Sequence, residues 1–273
     1  MSSDRVIVGT RGPKVSAIMA SPYKSFIRGS NRLVFIDPMQ AEMTNTMLAT
    51  RISFMNEIAL LCEEVGADVE LVRRGLGSDP RIGAAFLFPG VGFGGSCFPK
   101  DIRALIHTGQ AHGVEMAVAK SVWQVNLAAR ERFAERVRKY YAGREEDTTL
   151  AVWGLAFKAN TDDIRESPAV HCVQKFCDWG MRVKAYDPEA GPAAQAILDG
   201  RVQLCQDAYE ALDGSDALVV LTDWQEFRMP ELESIKSRLR SPVVFDGRNL
   251  YDPRKIRDAG LHYYGVGRAS TEG

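Results

Sequence analysis

Nothing in these 273 residues marks a disulfide framework, a metal centre or a membrane span. The five cysteines (Cys62, Cys97, Cys172, Cys177 and Cys205) include no C-x-x-C pair, and no histidine stands at metal-ligand spacing. Reduced thiols in a cytoplasmic protein are the expectation, with no metal. No apolar run approaches the roughly 20 residues that cross a bilayer, and residues 1–13 lack the apolar core of a signal peptide. Neither sign of charge dominates: 34 Lys and Arg against 35 Asp and Glu leave a net charge of −1. That balance excludes the electrostatic footprint of a nucleic-acid binder or of a protein held on an anionic membrane. A hydrophobic content of 45% with 25% charged residues is that of an ordinary globular chain, long enough for two modest domains.

Arg5-Val6-Ile7-Val8 and Arg32-Leu33-Val34-Phe35-Ile36 read as short strands with a helix near residues 14–20 between them. Residues 38–65 predict a long helix. Leu48, Ile52, Met55, Ala59 and Cys62 line one face, and Met47, Phe54, Ile58 and Leu61 a second. A helix apolar on two sides is buried on two sides, so a partner copy is expected against it. A second long helix is predicted over about 115–142, with a solvated basic run at Arg130, Arg132, Arg136, Arg138 and Lys139. Beyond Asp147, apolar runs at 150–153, 183–186, 217–221 and 243–245 alternate with helical stretches near 169–179, 193–198, 208–212 and 231–239. Such alternation predicts an α/β fold with a Rossmann-like parallel sheet. Ligands of such sheets sit at the carboxyl ends of the strands, here Gly154-Leu155-Ala156-Phe157-Lys158 and Asp246-Gly247-Arg248-Asn249.

The chemistry concentrates in Gly92-Phe93-Gly94-Gly95-Ser96-Cys97-Phe98-Pro99-Lys100-Asp101. Pro99 suits the first turn of a helix, which puts Cys97 at a helix N-terminus where a thiolate is favoured. Lys100 adds a cation, and the glycines let backbone approach a ligand. Asp101 follows Cys97 by one helical turn, which can bring its carboxylate to the thiol. The run Gly90-Val91-Gly92-Phe93-Gly94-Gly95 matches the dinucleotide fingerprint G-x-G-x-x-G. Pro89 interrupts its approach, however, and a helix ending at Gly113 follows where a strand is required. Cys97 is therefore read as a nucleophile, and as the most reactive of the five thiols.

On these residues the chain resembles the UDP-glucose 6-dehydrogenase family, whose signature around its active-site cysteine is close to G-F-G-G-S-C-F-P-K-D. The likeness runs from about Asp4 to Arg268. It implies oxidation of UDP-glucose at C6 to the carboxylate in two NAD-dependent steps, with a thioester on Cys97 between them. It divides the chain into a remnant of an N-terminal NAD-binding domain (1–37), a central helical dimerisation domain carrying the cysteine loop (38–142) and a UDP-binding α/β domain (148–268). It implies Cys97, Asp101 and Asn45 as catalytic residues. For the nucleotide sugar it implies Phe86, Leu87, Gly94, Phe157, Lys158 and Arg248, with Arg81 reaching into the neighbouring subunit of a homodimer. Lys100 and Arg165 match contacts to NAD.

Two departures from the family follow. The family pattern A-E-L-T-K-x-x-x-N is here Ala41-Glu42-Met43-Thr44-Asn45, shorter by four residues that include the lysine. Four residues are close to one turn, so the helix can continue with a phase slip of about 40°, but an ammonium beside the reacting oxygen is gone. The glycine fingerprint of the NAD-binding domain also has no counterpart in this chain. Little or no turnover is expected of the chain alone. The alternative is a non-catalytic module that binds a UDP-sugar or pairs with an intact paralogue.

Overall fold

The structure, a computed structural model, describes residues 6–24 and 33–268. Arg5 and Arg32, which the sequence puts in strands, lie outside them. β1 (Val6–Gly9) and β2 (Leu33–Ile36) pair in parallel as a two-stranded sheet, with α1 (Pro13–Lys24) between them in the chain.

α2 (Pro38–Val65) spans the predicted residues because both ends are punctuated. Asp37 caps the start in a reciprocal arrangement with Gln40, Pro38 fills the first turn, and Gly66 at φ 69° ends the helix in the left-handed region. Its buried side, with Ala49, Met55, Ala59 and Cys62, packs on the helices that follow. Met43, Met47, Phe54, Leu61 and Val65 stay exposed. α3 (Val69–Ser78) follows, capped by Asp68. α4 (Phe98–Ala111) and α5 (Ala117–Tyr140) complete the helical part and both lie against α2.

From β3 (Thr149–Trp153) the chain alternates through α6 (Pro168–Asp178), β4 (Arg182–Tyr186), α7 (Gly191–Leu198), β5 (Val202–Leu204), α8 (Ala208–Leu212), β6 (Ala217–Val220), α9 (Leu232–Arg238), β7 (Val243–Asp246), α10 (Pro253–Asp258) and β8 (His262–Tyr264). The six strands are parallel in the order β5-β4-β3-β6-β7-β8. β3, β6 and β7 are buried at every residue, and all are apolar save Thr149 and Asp246 at two of their ends. Trp153, Phe176, Phe227 and Phe245 are fully buried around them, and burial of one such side chain contributes about 1.5–3 kcal/mol.

The strand order switches direction between β3 and β6, the place where such sheets hold ligands. Here the protein's own cysteine loop abuts those strand ends. Val91 N–H donates to the Gly247 carbonyl at 3.0 Å, and a side chain on Gly247 would meet Val91 Cγ1 at 2.5 Å. The helical part and the sheet thus meet at the cysteine loop.

Candidate active site

Cys97 is the residue before α4, with Pro99 in that helix's first turn, and its side chain is exposed. The sulfur lies 3.7 Å from Ser96 Oγ. Behind it, Val91 to Gly95 are buried. Asn126 on α5 is fully buried and grips Phe93 at two points: Phe93 N–H donates to Oδ1 at 2.7 Å, and Nδ2 donates to the Phe93 carbonyl at 3.1 Å. Asn56 Oδ1 on α2 accepts from Gly90 N–H at 2.8 Å. Gly95 N–H donates to the Arg165 carbonyl at 2.8 Å. Arg130, whose basicity burial lowers, extends Nη2 toward the Phe93 carbonyl at 3.4 Å and pairs with Glu166 at 3.9 Å. Arg130 is therefore not part of a solvated basic face, as the sequence suggested. Asn56, Asn126 and Arg130 are the site residues that the sequence did not disclose.

In front of the loop, α2 and α4 bring together Asn45, Asp101 and Lys100. Asn45 Nδ2 donates to Asp101 Oδ2 at 2.6 Å, and Lys100 Nζ stands 2.5 Å from Asp101 Oδ1 and 3.8 Å from Glu42. The Asp101 side chain is 5% exposed. Hydrogen bonding to Asp101 raises the Lys100 ammonium above its ordinary range, with Glu42 and the Cys97 sulfur adding smaller contributions. Lys100, expected to serve the thiol and to contact NAD, is thus exposed and paired with two carboxylates. Arg165 likewise turns to Asp163, at 2.8 and 2.9 Å, and that contact raises its basicity.

The sheet contributes Phe157, Lys158 and Arg248. Arg248 is a junction: Nε donates to the Leu221 carbonyl at 2.7 Å, Nη1 to Gly92 at 3.2 Å and Nη2 to Phe157 at 3.1 Å. It makes no ion pair among the described residues, and burial pushes its basicity down. Asp246 holds its backbone N–H at 3.0 Å and also accepts from Tyr251 N–H and Tyr263 Oη. Lys158 is exposed and lies over the Phe157 ring at 5.3 Å. Beside Arg248, a cleft of about 820 Å³ opens between α3 and the β7–α10 connection. Arg73, Arg74, Arg228, Arg254 and Arg257 line it together with Phe88.

Other expected ligand residues are used differently. Leu87 is 3% exposed and packs with Met55, Ala59, Cys62 and Val69, so its side chain is not offered to a sugar. Phe86 stands at φ 60° with its ring 6.1 Å from Phe98, beside the cysteine helix. Gly94 is glycine because the loop after β3 presses on it: a Cβ there would lie 2.3 Å from the Glu166 carbonyl oxygen. Arg81 is 87% exposed and paired with Asp79 at 2.5 Å. Of the other thiols, Cys62 and Cys172 are buried, whereas Cys177 and Cys205 are only half-buried. Burial pushes the Cys172 thiol up to about 12 and Cys205 to about 11.

The described residues form no glycine-rich dinucleotide turn. Before α2 there are two described strands, and Gly9 at the end of β1 faces Pro38, whose Cα would be 2.8 Å from an added Cβ. That glycine serves packing. In the large sheet, the turn after β3 is closed by Asp187, which accepts from Leu155 and Ala156 N–H, and by Thr222, which fills the space beside Gly154. No group of three or more potential metal ligands occurs among the described residues, and no described helix is long and apolar enough to cross a membrane.

Comparison with known proteins gives a consistent picture. The profile of the UDP-glucose/GDP-mannose dehydrogenase family, central domain, matches residues 39–128, and that of the same family's UDP binding domain matches residues 151–253. UDP-glucose 6-dehydrogenase of Pseudomonas aeruginosa is 41% identical over 97% of this chain and 60% of its own length. UDP-glucose 6-dehydrogenase TuaD of Bacillus subtilis is 39% identical over 100% of this chain and 59% of its own. The structure of a UDP-glucose dehydrogenase from Pyrobaculum islandicum superposes with a TM-score of 0.81 at 33% identity, covering 97% of this chain and 59% of that one. The chain thus spans about 60% of the length of the curated relatives it matches.

Proposed function

Because the chain belongs to the UDP-glucose/GDP-mannose dehydrogenase family, we propose that it binds a UDP-sugar where the cysteine loop meets the sheet. Arg248 carries this reading. A half-buried guanidinium with no carboxylate at ion-pair distance among the described residues favours a ligand that supplies the anion, and Arg248 sits at the carboxyl ends of the strands beside a nucleotide-sized cleft. Three of its five N–H groups are engaged by carbonyls, which leaves two for a phosphate. Lys158, exposed and free of ion pairs among the described residues, is the second cation for the diphosphate.

In this arrangement the sugar lies toward Cys97, with Asn45 and Asp101 beyond it. Cys97 is the nucleophile: its sulfur is exposed at the start of a helix and its loop is rigidly held. Asp101 accepts or returns a proton there, and Asn45 fixes one of its oxygens. The 273-residue chain by itself turns over little. No complete dinucleotide site exists among the described residues, and the ammonium nearest Asp101 is already compensated. Loss of one oxyanion donor typically costs ~10²–10³ in rate. The test is incubation of the purified chain with UDP-glucose and NAD. No NADH above the blank is expected, and steady NADH formation overturns the claim.

A homodimer through α2 is the second element of the proposal. Its exposed stripe from Met43 to Val65 is too apolar to be left in water along one helix, and Arg81, exposed and paired only with its near neighbour Asp79 among the described residues, would serve the other protomer by exchanging that partner.

A further inference from the structure

We propose that Asn126 is the positioning residue for Cys97. The inference rests on the reading of Cys97 as nucleophile, but it is carried by separate observations. The stretch from Gly90 to Gly95 has no strand partner that would fix it, yet it lies between two bodies, the helices and the sheet. A carboxamide presents an N–H donor and a carbonyl acceptor in one plane, as a backbone peptide does. Asn126 uses both on one residue, Phe93, with the fully buried geometry of a strand neighbour. It thereby stands in for the missing strand, four residues before the sulfur.

The neighbouring backbone is shaped to this contact. Gly92 adopts φ 99°, and a Cβ there would lie 2.7 Å from Asn126 Oδ1, so only glycine lets the carboxamide reach Phe93. On the other side, Phe93 buries its ring edge-on to Phe98 at 5.7 Å, the first residue of the helix that begins beside Cys97. The path from Asn126 to the sulfur is therefore short and packed: carboxamide to Phe93 backbone, Phe93 ring to Phe98, and Phe98 to Cys97. Asn56 holds Gly90, further from the sulfur, and Arg130 reaches only the Phe93 carbonyl at 3.4 Å. Asn126 alone fixes Phe93 on both polar groups. An unpaired buried amide or carbonyl is costly, so removal of the carboxamide drives this stretch to leave its seat.

The sulfur forms a bond to carbon in either chemistry or labelling, so its rate of alkylation reports its placement. Cys97 alkylation by iodoacetamide, in which the S–C bond forms and iodide leaves, is measured in the intact chain and compared at the same pH with a peptide of residues 92–101. A held thiol departs from the peptide rate. In Asn126→Leu, which matches the side chain's size and removes both hydrogen bonds, we expect Phe93 amide exchange to accelerate about tenfold or more, as for loss of a buried hydrogen bond. The Cys97 rate should then converge on that of the peptide. In Asn126→Asp, which keeps the acceptor for Phe93 N–H, the rate should fall between the two. UDP titration of the same variants reads the sheet separately, and its affinity should change less than the Cys97 rate, since the Gly92 carbonyl is one of three that hold Arg248 and the other two lie outside this loop. A parent-like Cys97 rate in Asn126→Leu despite fast Phe93 exchange overturns the inference, as does loss of UDP binding in step with the Cys97 change, which marks a merely structural role. Absence of UDP binding in the parent chain counts against the nucleotide reading and leaves the Asn126 inference to be decided by the Cys97 rates.

Discussion

Asn45 donates its carboxamide to Asp101 at 2.6 Å, joining helices 56 residues apart in sequence. The contact exists although Asn45 follows Thr44 directly, where the family pattern has four more residues. α2 runs unbroken through this point, as expected of a cut close to one helical turn. The carboxylate is thus held by an amide on one oxygen and an ammonium on the other, one turn along the helix from Cys97. The shorter sequence thus leaves Asn45 on Asp101, without the lysine of the family pattern.

Cys97 is expected to be the first thiol modified. It alone of the five is exposed, whereas burial raises Cys62, Cys172, Cys177 and Cys205 above the ordinary thiol range. Labelling with less than one equivalent of iodoacetamide, followed by peptide mapping, should place most of the alkyl group on Cys97. Cys177 and Cys205, being half-buried, are the informative competitors. Preferential labelling of either contradicts the nucleophile assignment.

The exposed stripe on α2 should make the chain a dimer in solution. Sedimentation at micromolar concentration is expected to give twice the mass of the chain. Phe54→Asp, which puts a charge at a 48% exposed apolar position, should shift it to the monomer without unfolding the protein. A monomeric parent chain rules out α2 as the interface.

Gly94→Ala should destabilise the protein by about 1–3 kcal/mol, the usual cost of forcing atoms into a packed contact. The new methyl would meet the backbone of Glu166 at 2.3 Å, and backbone cannot turn aside as a side chain can. Denaturant unfolding measures the loss. Unchanged stability would mean that the cysteine loop and the loop after β3 are not pressed together.

Much of this architecture was legible because local signals and tertiary structure agree. Asp37-Pro38 and Gly66 bound α2, and the short apolar runs marked β3, β4, β6 and β7, of which β3, β6 and β7 are buried along their whole length and β4 alternates. α3 was not foreseen, since Gly75 and Gly77 lie within it and its support comes from packing on α2 and from the Asp68 cap. β5, β8 and α10 were missed because a three-residue edge strand or a six-residue helix carries too little pattern. At the site, Cys97, Asp101 and Asn45 were found through a contiguous motif and its resemblance. Asn126 was not, because a polar residue in mid-helix gives no local sign that its partner lies 33 positions away. Arg248 was found for its residue type, but its bonds to three carbonyls from three segments belong to the fold alone.

Titration calorimetry with UDP tests the central claim most directly. The account predicts a single saturable site in the parent chain. In Lys158→Ala, loss of one charge-assisted contact should weaken binding by ~1.5–3 kcal/mol, or roughly 10- to 100-fold. Lys158 suits the test because its recorded side-chain contact is with the Phe157 ring, so its removal leaves the cysteine loop in place. Arg248→Ala should weaken binding at least as much, and it also releases Gly92, Phe157 and Leu221. No heat with the parent chain, or equal affinity in parent and Lys158→Ala, would contradict a UDP site at this end of the sheet.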